Sequence, residues 1–365
     1  MRYSSSRQPD YVIIFCFAAL VIFGLIMLVS ASSNLAQIRF SDPNYYFNHQ
    51  LFFGLIPGLI GFLAGYFIYY RYWQKAAILF GLLSVVLLFL VFTPLGFNAG
   101  GAERWVRLGP VTFQPAEVVK LTFILYLAAW LGGSIDRAKS FRKGFMPFLA
   151  VSGLVAILLL KQPATSTVAI LMGSAAVIYF ISGAKWSYII GFFLLVAIIF
   201  TLVIYFTPYR LNRILNYINP AASPEGGGYH LSQALIAIGS GGWFGVGFGQ
   251  STTKINFLPE PIGDSIFAVI AEELGFIGSS TLILIFLVLI IRIFRLAKKA
   301  PDRFAKLALI GFGTLIAAQS FVNIAAISGI IPLTGMPLPF ISYGGTALAV
   351  FMTMMGIVLN ISRNH

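Results

Sequence analysis

Long apolar runs separated by short polar segments dominate the pattern of the chain. A helix needs about 20 apolar residues to cross a bilayer, and ten runs near that length lie around residues 11–31, 51–70, 75–95, 116–133, 145–160, 166–182, 187–207, 265–291, 305–330 and 340–360. The fifth and sixth runs flank Pro163. Because proline ends a helix, a tight hairpin between two spans is predicted there. The first run is too long for the apolar core of a signal peptide and is predicted to be an uncleaved span.

Composition agrees with a membrane-embedded chain. Hydrophobic residues make up 59% of the 365 residues, charged residues only 10%, and the mean hydropathy is +0.90, whereas about 25% of a soluble domain is charged. A soluble domain, a fibre and a disordered chain are thereby excluded, and so is a β-barrel, whose strands would be short and alternating. The predicted fold is an all-α integral membrane protein, a bundle of about ten transmembrane helices. No repeat or linker divides residues 1–365, so a single domain is expected.

The net charge of +13 would suggest nucleic acid binding in a soluble protein, but in a membrane protein it sets orientation. Lysine and arginine collect in cytoplasmic loops. If the N-terminus is cytoplasmic, 16 of the 24 basic residues lie inside, seven lie outside, and Lys120 lies within a span. Both termini are therefore predicted to be cytoplasmic. The single cysteine, Cys16, excludes an intramolecular disulfide and a cysteine-based metal site.

Two outer segments are too long to be simple connections. They cover residues 96–115 and the loop 208–264 between helices 7 and 8, and long loops are often functional. In the second loop, residues 231–238 and 243–248 are apolar and are predicted to pack as short helices on the outer surface. The glycines between Gly239 and Gly249 are predicted to form tight turns, since no strand precedes them as a dinucleotide site would require. The histidines at 49, 230 and 365 are scattered and lack metal-ligand spacing.

Four acidic residues lie at or within the outer ends of apolar helices, where a charge is costly unless it is paired or hydrated. They are Glu117, Asp264, Glu272 and Glu273. Glu117 and Lys120 stand three residues apart and share a helix face, so an ion pair is expected, either as a structural element or as part of a cavity wall. Adjacent residues on a helix diverge by about 100°, so at most one of Glu272 and Glu273 is expected to face the cavity of Asp264.

Asp264 directly precedes the eighth span, and two interpretations remain open for it. One is a helix N-cap, for which aspartate is a preferred residue. The other is a functional carboxylate that faces a basic loop. The basic residues of the outer segments are either anchors for lipid headgroups or counter-charges for an anionic group; they include Arg104, Arg107, Arg210, Arg213 and Lys254. A carboxylate beside such charges suggests chemistry on a lipid-linked phosphate.

Five motifs together resemble the SEDS family, which includes FtsW, RodA and SpoVE. They occur in the family's order at residues 109–120, residues 161–163, residues 233–260, residues 264–275 and residues 337–345. Within the family, the sequence GGWFGVG at 241–247, together with Lys254 and the C-terminal NISR at 360–363, is more similar to the division member than to the elongation member.

The resemblance implies ten transmembrane helices and an inverting peptidoglycan glycosyltransferase of the bacterial cytoplasmic membrane. Such an enzyme polymerises lipid II at the outer face and releases undecaprenyl pyrophosphate. The implied partners are a class B penicillin-binding protein, lipid II, membrane lipids and division or elongation complex proteins, with no nucleic acid, and the implied location is the division septum. Two other functions stay open, a lipid II flippase and a non-catalytic division scaffold. Inverted repeats or paired broken helices would favour transport, and neither is evident.

The family's loop aspartate falls on Asp264, which is the expected general base. The predicted substrate-binding or cavity residues are Glu117, Lys120, Arg210, Arg213, Lys254, Gln114, Arg104 and Ser342. A divalent cation, Mg²⁺ or Mn²⁺, could assist the arginines at the pyrophosphate. The chain departs from the usual family pattern at Ala164, at residues 261–263, and at His230, which stands where the family has a glutamine, so these positions carry no predicted role.

Overall fold

The computed structural model describes residues 8–99, 102–109, 111–219 and 227–364. Arg2 and Arg7, which entered the charge count, and residues 220–226 of the long outer loop lie outside the described residues.

Ten helices account for the ten predicted spans. Eight are long and apolar enough to cross a membrane, namely α1 (Tyr11–Phe40), α2 (Tyr45–Phe67), α5 (Pro115–Gly132), α7 (Phe141–Lys161), α9 (Trp186–Tyr205), α13 (Ile266–Lys298), α14 (Arg303–Ile327) and α15 (Gly345–Arg363). Two shorter apolar helices are α4 (Ala77–Leu90) and α8 (Thr165–Ile181). The all-α membrane fold is confirmed, and the predicted hairpin at Pro163 joins α7 to α8.

Short elements connect these spans. On one side lie α3 (Tyr70–Lys75) and α6 (Ile135–Lys139). The segment at 96–113, predicted only as a loop, forms a small antiparallel sheet in the order β1 (Gly96–Ala99), β2 (Ala102–Leu108) and β3 (Val111–Phe113). Val106 in the middle strand is fully buried, so this small sheet packs against the helices. The prediction missed it because three short strands give a weak periodic signal.

The long outer loop contains three helices, α10 (Pro208–Ile218), α11 (Gly227–Ser240) and α12 (Thr253–Asn256). The helix predicted at 231–238 is confirmed within α11. The helix predicted at 243–248 is wrong, because the chain there turns repeatedly with positive φ at Gly242, Gly245, Gly247 and Gly249. The expectation of tight glycine turns is therefore confirmed, and these turns exclude a helix at the same place.

Those turns are hydrogen-bonded to a break in α13. Gly275 leaves the helical conformation with φ of 66° and ψ of −164°, which frees backbone groups that must find partners away from water. The glycine turns supply them, since Phe276 N donates to Gly242 O at 2.8 Å and Val246 N donates to Glu272 O at 3.0 Å. The outer loop is thus bonded to the helix that follows Asp264.

The interior of the bundle is built around α5, α14 and α15. About 72% of the span of α5 is buried within the protein, against 11% for α9. Helix α9 therefore lies at the periphery and leaves most of its surface to lipid, while α5 and α15 lie inside. Residues near the outer ends of the inner helices are the ones that can line a protein cavity.

The charge count predicts the orientation, and thiol labelling tests it. In a Cys16→Ala background, Gln250→Cys in the outer loop should react with a membrane-impermeant thiol reagent in intact cells, and Pro301→Cys, between α13 and α14, should not. Both positions are exposed, and Cys16 is 4% exposed. Ser251 is buried and would report poorly. If only Pro301→Cys were labelled, the topology would be the inverse of the predicted one, and an outward-facing site would be contradicted.

Candidate functional site

A cavity of about 370 Å³ opens at the outer ends of the inner helices. Its wall combines the hairpin β2–β3, the start of α8, helix α10 and the loop 331–337. Five of the predicted cavity residues line it: Arg104, Gln114, Glu117, Arg210 and Arg213. Its other lining residues are largely apolar and include Phe200 and Ile204 of the peripheral helix α9. The cavity therefore presents three positive charges beside an apolar wall.

The three arginines are anchored by backbone carbonyl groups. Arg104 Nε donates to Gln162 O at 3.0 Å, and its Nη2 donates to Pro163 O at 2.6 Å. Arg210 Nη2 donates to Leu160 O at 3.2 Å. The hairpin between α7 and α8 thereby fixes two guanidinium groups at the cavity.

Arg213 lies one turn after Arg210 on α10, and its Nη1 donates to Thr334 O in the loop 331–337 at 3.4 Å. A guanidinium group has five N–H donors in a planar fork that matches phosphate oxygens. Three such groups around one cavity supply the kind of donors that a phosphate or pyrophosphate requires.

The predicted ion pair between Glu117 and Lys120 is present, with Lys120 Nζ 2.6 Å from Glu117 Oε1. Lys120 is fully buried and also donates to Gln319 Oε1 at 2.8 Å. Gln319 Nε2 in turn donates to Pro337 O at 2.9 Å, in the loop that forms one cavity wall. Glu117 Oε2 is buried and has no hydrogen-bond partner among the described residues. Lys120 therefore ties the pair to the protein interior, while Glu117, which lines the cavity, keeps one acceptor oxygen without a partner among the described residues.

Asp264 stands beside this cavity. A methyl group added at Gly335, a lining residue, would lie 3.8 Å from Asp264 Oδ2 and 3.9 Å from Arg213 Nη2. The carboxylate and the guanidinium thus share one glycine as neighbour, and Gly335, with φ of 66°, leaves the space between them open. Asp264 Oδ1 is buried without a hydrogen-bond partner among the described residues. A buried acceptor atom without a partner is rare in folded proteins and is one mark of a functional group.

Burial raises the pKa of Asp264 to about 7, and the negative charge of Glu260 adds to the rise, while Arg213 opposes it. The N-cap interpretation of Asp264 is wrong. Ser265 occupies the N-cap position of α13, and its side chain makes no capping bond. The carboxylate of Asp264 is therefore not engaged in stabilising the helix end.

Two buried polar side chains hold the backbone around Asp264. Asn323 Nδ2 donates to Asp264 O at 2.8 Å and to Met336 O at 2.7 Å, which ties the aspartate loop to the cavity wall. Ser342 Oγ donates to Gly263 O at 2.7 Å and accepts from Leu338 N at 2.7 Å. Ser342 was predicted as a cavity residue, and this is wrong because both bonds turn it into the protein. Asn323 was missed, although an asparagine inside an apolar span is a signal of function or of structural hydrogen bonding.

Lys254 was predicted to lie with the arginines, but it does not. Its ammonium group is 2.6 Å from Glu273 Oε1 and 3.0 Å from Ser30 Oγ, and both charged groups are buried. A buried carboxylate needs a counter-charge, and Lys254 serves Glu273. Glu272 is likewise occupied, since it accepts from Ser251 Oγ at 2.6 Å and from Thr253 Oγ1. At most one of the two glutamates was expected to face the cavity of Asp264, and neither lines it, because both are paired elsewhere.

A second cavity of about 540 Å³ lies on the other side of the loop 258–263. Its wall includes Tyr46, Trp105, Lys254 and Tyr343. Successive residues of a strand point to opposite faces, which explains why Arg104 lines the first cavity and Trp105 the second. The hairpin thus separates two cavities, and sequence reasoning missed the second because its lining comes from five separate segments.

The predicted divalent cation has weak support in the side chains. Among the described residues no group of three or more histidine, cysteine, aspartate or glutamate side chains could hold a metal ion. The cavity carboxylates Glu117 and Asp264 belong to different elements, and Glu117 is already paired with Lys120. The protein alone does not form a complete cation site here.

Comparisons with known proteins agree with this geometry. A family model described as cell cycle protein, for FtsW, RodA and SpoVE, matches residues 10–365. Stage V sporulation protein E of Bacillus subtilis is 37% identical over 364 residues, which cover 99% of this chain and 98% of the relative. The probable peptidoglycan glycosyltransferase FtsW of Geobacter sulfurreducens is 39% identical over 358 residues, which cover 98% and 95%. A chain from a peptidoglycan synthase complex that coordinates polymerization and crosslinking has a TM-score of 0.80 and 27% identity, with 98% of each chain covered.

Proposed function

The chain belongs to the FtsW/RodA/SpoVE family of cell cycle proteins and is a membrane-embedded peptidoglycan glycosyltransferase, and we propose that it polymerises lipid II through Asp264. The observation that carries this proposal is the buried carboxylate of Asp264, with an unpartnered oxygen, next to Arg213 at the wall of an arginine-lined cavity. That arrangement combines a base with groups that bind a pyrophosphate.

Asp264 and the arginines have complementary roles in the proposed reaction. The carboxylate takes the proton from the acceptor sugar hydroxyl as its oxygen attacks the anomeric carbon of the donor. The bond from that carbon to the pyrophosphate oxygen breaks, and attack from the opposite side inverts the anomeric centre. Negative charge develops on undecaprenyl pyrophosphate, which Arg104, Arg210 and Arg213 stabilise. Glu117 and Gln114 border the same space, and we assign them to substrate positioning.

The partner proposal is a class B penicillin-binding protein with transpeptidase activity. It is supported by the likeness to a chain from a peptidoglycan synthase complex. We further propose that both termini are cytoplasmic and that the protein works at the division septum, since relatives such as the one from Geobacter sulfurreducens are named FtsW. A divalent cation, Mg²⁺ or Mn²⁺, would depend on phosphate oxygens of the substrate for most of its ligands.

A polymerisation assay in detergent separates the enzyme from its two rivals. The purified chain, with a class B penicillin-binding protein, is incubated with labelled lipid II, and products are resolved on a gel. A glycosyltransferase makes glycan strands in micelles, where no bilayer needs crossing. A flippase or a scaffold leaves lipid II unchanged, and unchanged lipid II with an active partner complex would contradict the proposal.

The rate of polymerisation should depend on pH through Asp264. The base works only when it is deprotonated, so a pKa of about 7 predicts a rate that rises from pH 6 to pH 8 and is half-maximal near pH 7. Initial rates with labelled lipid II across this range measure the profile. A rate that stays level down to about pH 5 would require a pKa close to the ordinary aspartate value of about 3.9 and would exclude Asp264 in this environment as the base.

A further inference from the structure

His230, in the first turn of α11, contacts the residue that follows the base. His230 Nε2 lies 2.6 Å from Ser265 Oγ, and Ser265 Oγ donates to Pro259 O at 2.7 Å. A serine hydroxyl has one hydrogen, and the carbonyl of Pro259 takes it. The histidine must therefore carry its hydrogen on Nε2 and donate it to Ser265.

Ser265 closes the loop that carries Asp264. Its side chain bonds Pro259 at the beginning of the loop, and its backbone N–H donates to Glu260 O at 3.3 Å. Gly263 N also donates to Glu260 O, at 3.0 Å. Ser265 is fully buried, so no water competes for its hydroxyl. Asp264 thus sits inside a closed turn whose last residue is held from outside by His230.

We propose that His230 is a positioning residue for the general base, because its Nε2–H holds Ser265 and thereby fixes the direction of the Asp264 carboxylate. The inference rests on the proposed function, in which Asp264 takes the proton. It gives the outer-loop helix α11 a part in the reaction without any contact between His230 and substrate.

The charge state of His230 suits this role. Burial and the nearby charge of Arg213 lower the pKa of His230 to about 4. The ring is therefore neutral throughout the range in which Asp264 titrates, and the single hydrogen on Nε2 stays in place. The backbone N–H of Ser265 also lowers the pKa of Asp264. Displacement of Ser265 should accordingly raise the pKa of the base.

Substitution of His230 tests the hydrogen bond itself. His230→Leu removes the donor and keeps an apolar side chain, whereas His230→Gln retains an N–H donor at the end of a side chain of similar length. Because misplacement of a reacting group by about 1 Å can cost about 100-fold, we expect His230→Leu to lower kcat by about 10- to 100-fold. KM for lipid II should stay within about twofold of wild type, since ground-state binding is untouched. His230→Gln should recover most of the rate.

Three further measurements separate positioning from a general loss of structure. The pH at half-maximal rate should move upward in His230→Leu and return in His230→Gln. Ser265→Ala, which removes the bonds to both His230 and Pro259, should lower kcat at least as much, and adding His230→Leu to it should cost little more, because the bond to His230 is already gone. Ser240→Ala, which removes a hydrogen bond within the same helix, is the matched control and should leave kcat unchanged.

Wild-type kcat in folded His230→Leu would overturn the proposal, as would equal loss in His230→Gln and His230→Leu. A raised KM with unchanged kcat would place His230 in substrate binding instead and would also overturn it. If Asp264→Asn is inactive while His230→Leu is normal, only this inference fails. If Asp264→Asn is active, Asp264 is not the base, whatever the result for His230→Leu.

Discussion

Asp264→Asn is expected to abolish glycan polymerisation while the protein stays folded in the membrane. The amide keeps the size of the side chain and an acceptor oxygen but cannot take a proton, and general-base assistance is worth about 10² to 10⁴ in rate. The product yield from labelled lipid II should therefore fall by at least about 100-fold. Glu103→Gln, which changes an exposed carboxylate of the outer hairpin, is the control and should retain the wild-type rate.

The same substitution should not destabilise the fold at neutral pH. The pKa of Asp264 is raised in the folded protein, so the protonated form is the one that the fold favours. The stabilisation provided by protonated Asp264 is fully present below the pKa that the aspartate has in the unfolded chain, and it is lost as pH rises through about 7. Above pH 7 an asparagine avoids that cost, and the thermal midpoint of Asp264→Asn should equal or exceed that of wild type. A large fall in the midpoint would mean that loss of activity reflects unfolding.

Glu117 and Lys120 are expected to show a large energetic coupling. Removal of one partner from a buried ion pair leaves an uncompensated charge and costs about 3–5 kcal/mol. Lys120→Met should therefore destabilise strongly, and so should Glu117→Gln, in which Lys120 keeps its bond to Gln319 but loses the opposing charge. The double variant should recover much of the loss, because no charge is then stranded. Denaturation in detergent micelles measures the free energy of unfolding for the four proteins.

The ion pair of Arg292 with Asp10 is the matched control for this cycle. Its atoms are 2.7 Å apart, as close as in the buried pair, but the arginine side chain is 41% exposed. Exposed pairs contribute about 0.2–1 kcal/mol. A coupling between Glu117 and Lys120 that is no larger than that of the exposed pair would show that the site is hydrated and that the pair does not fix α5.

Sequence reasoning located the spans and the ion pair of Glu117 and Lys120 because both depend on local pattern. Apolar runs of membrane length and residues three apart on a helix are visible without tertiary structure. The partner of Lys254 was not predictable in this way. Glu273 and Ser30 reach it from helices far apart in the chain, and only the fold decides that a lysine of the outer loop turns inward.

The surroundings of Asp264 show the same limit. The sequence showed that Asp264 precedes a span and that basic residues lie in the preceding loop. It did not show the hydrogen bonds that orient the aspartate. Asn323, Ser342 and His230 approach the loop from three elements, and no spacing in the sequence relates them. Ser342 was consequently predicted as a cavity residue, and the bond of His230 to Ser265 was not predicted.

The most direct measurement of the central claim compares glycan products of wild type and Asp264→Asn in one complex. Each purified chain is paired with the same class B penicillin-binding protein, whose transpeptidase is blocked by a β-lactam, and labelled lipid II is added. The account predicts a ladder of uncrosslinked glycan strands with wild type and only unpolymerised lipid II with the variant, at equal complex formation. Equal ladders from both chains would contradict Asp264 as the base.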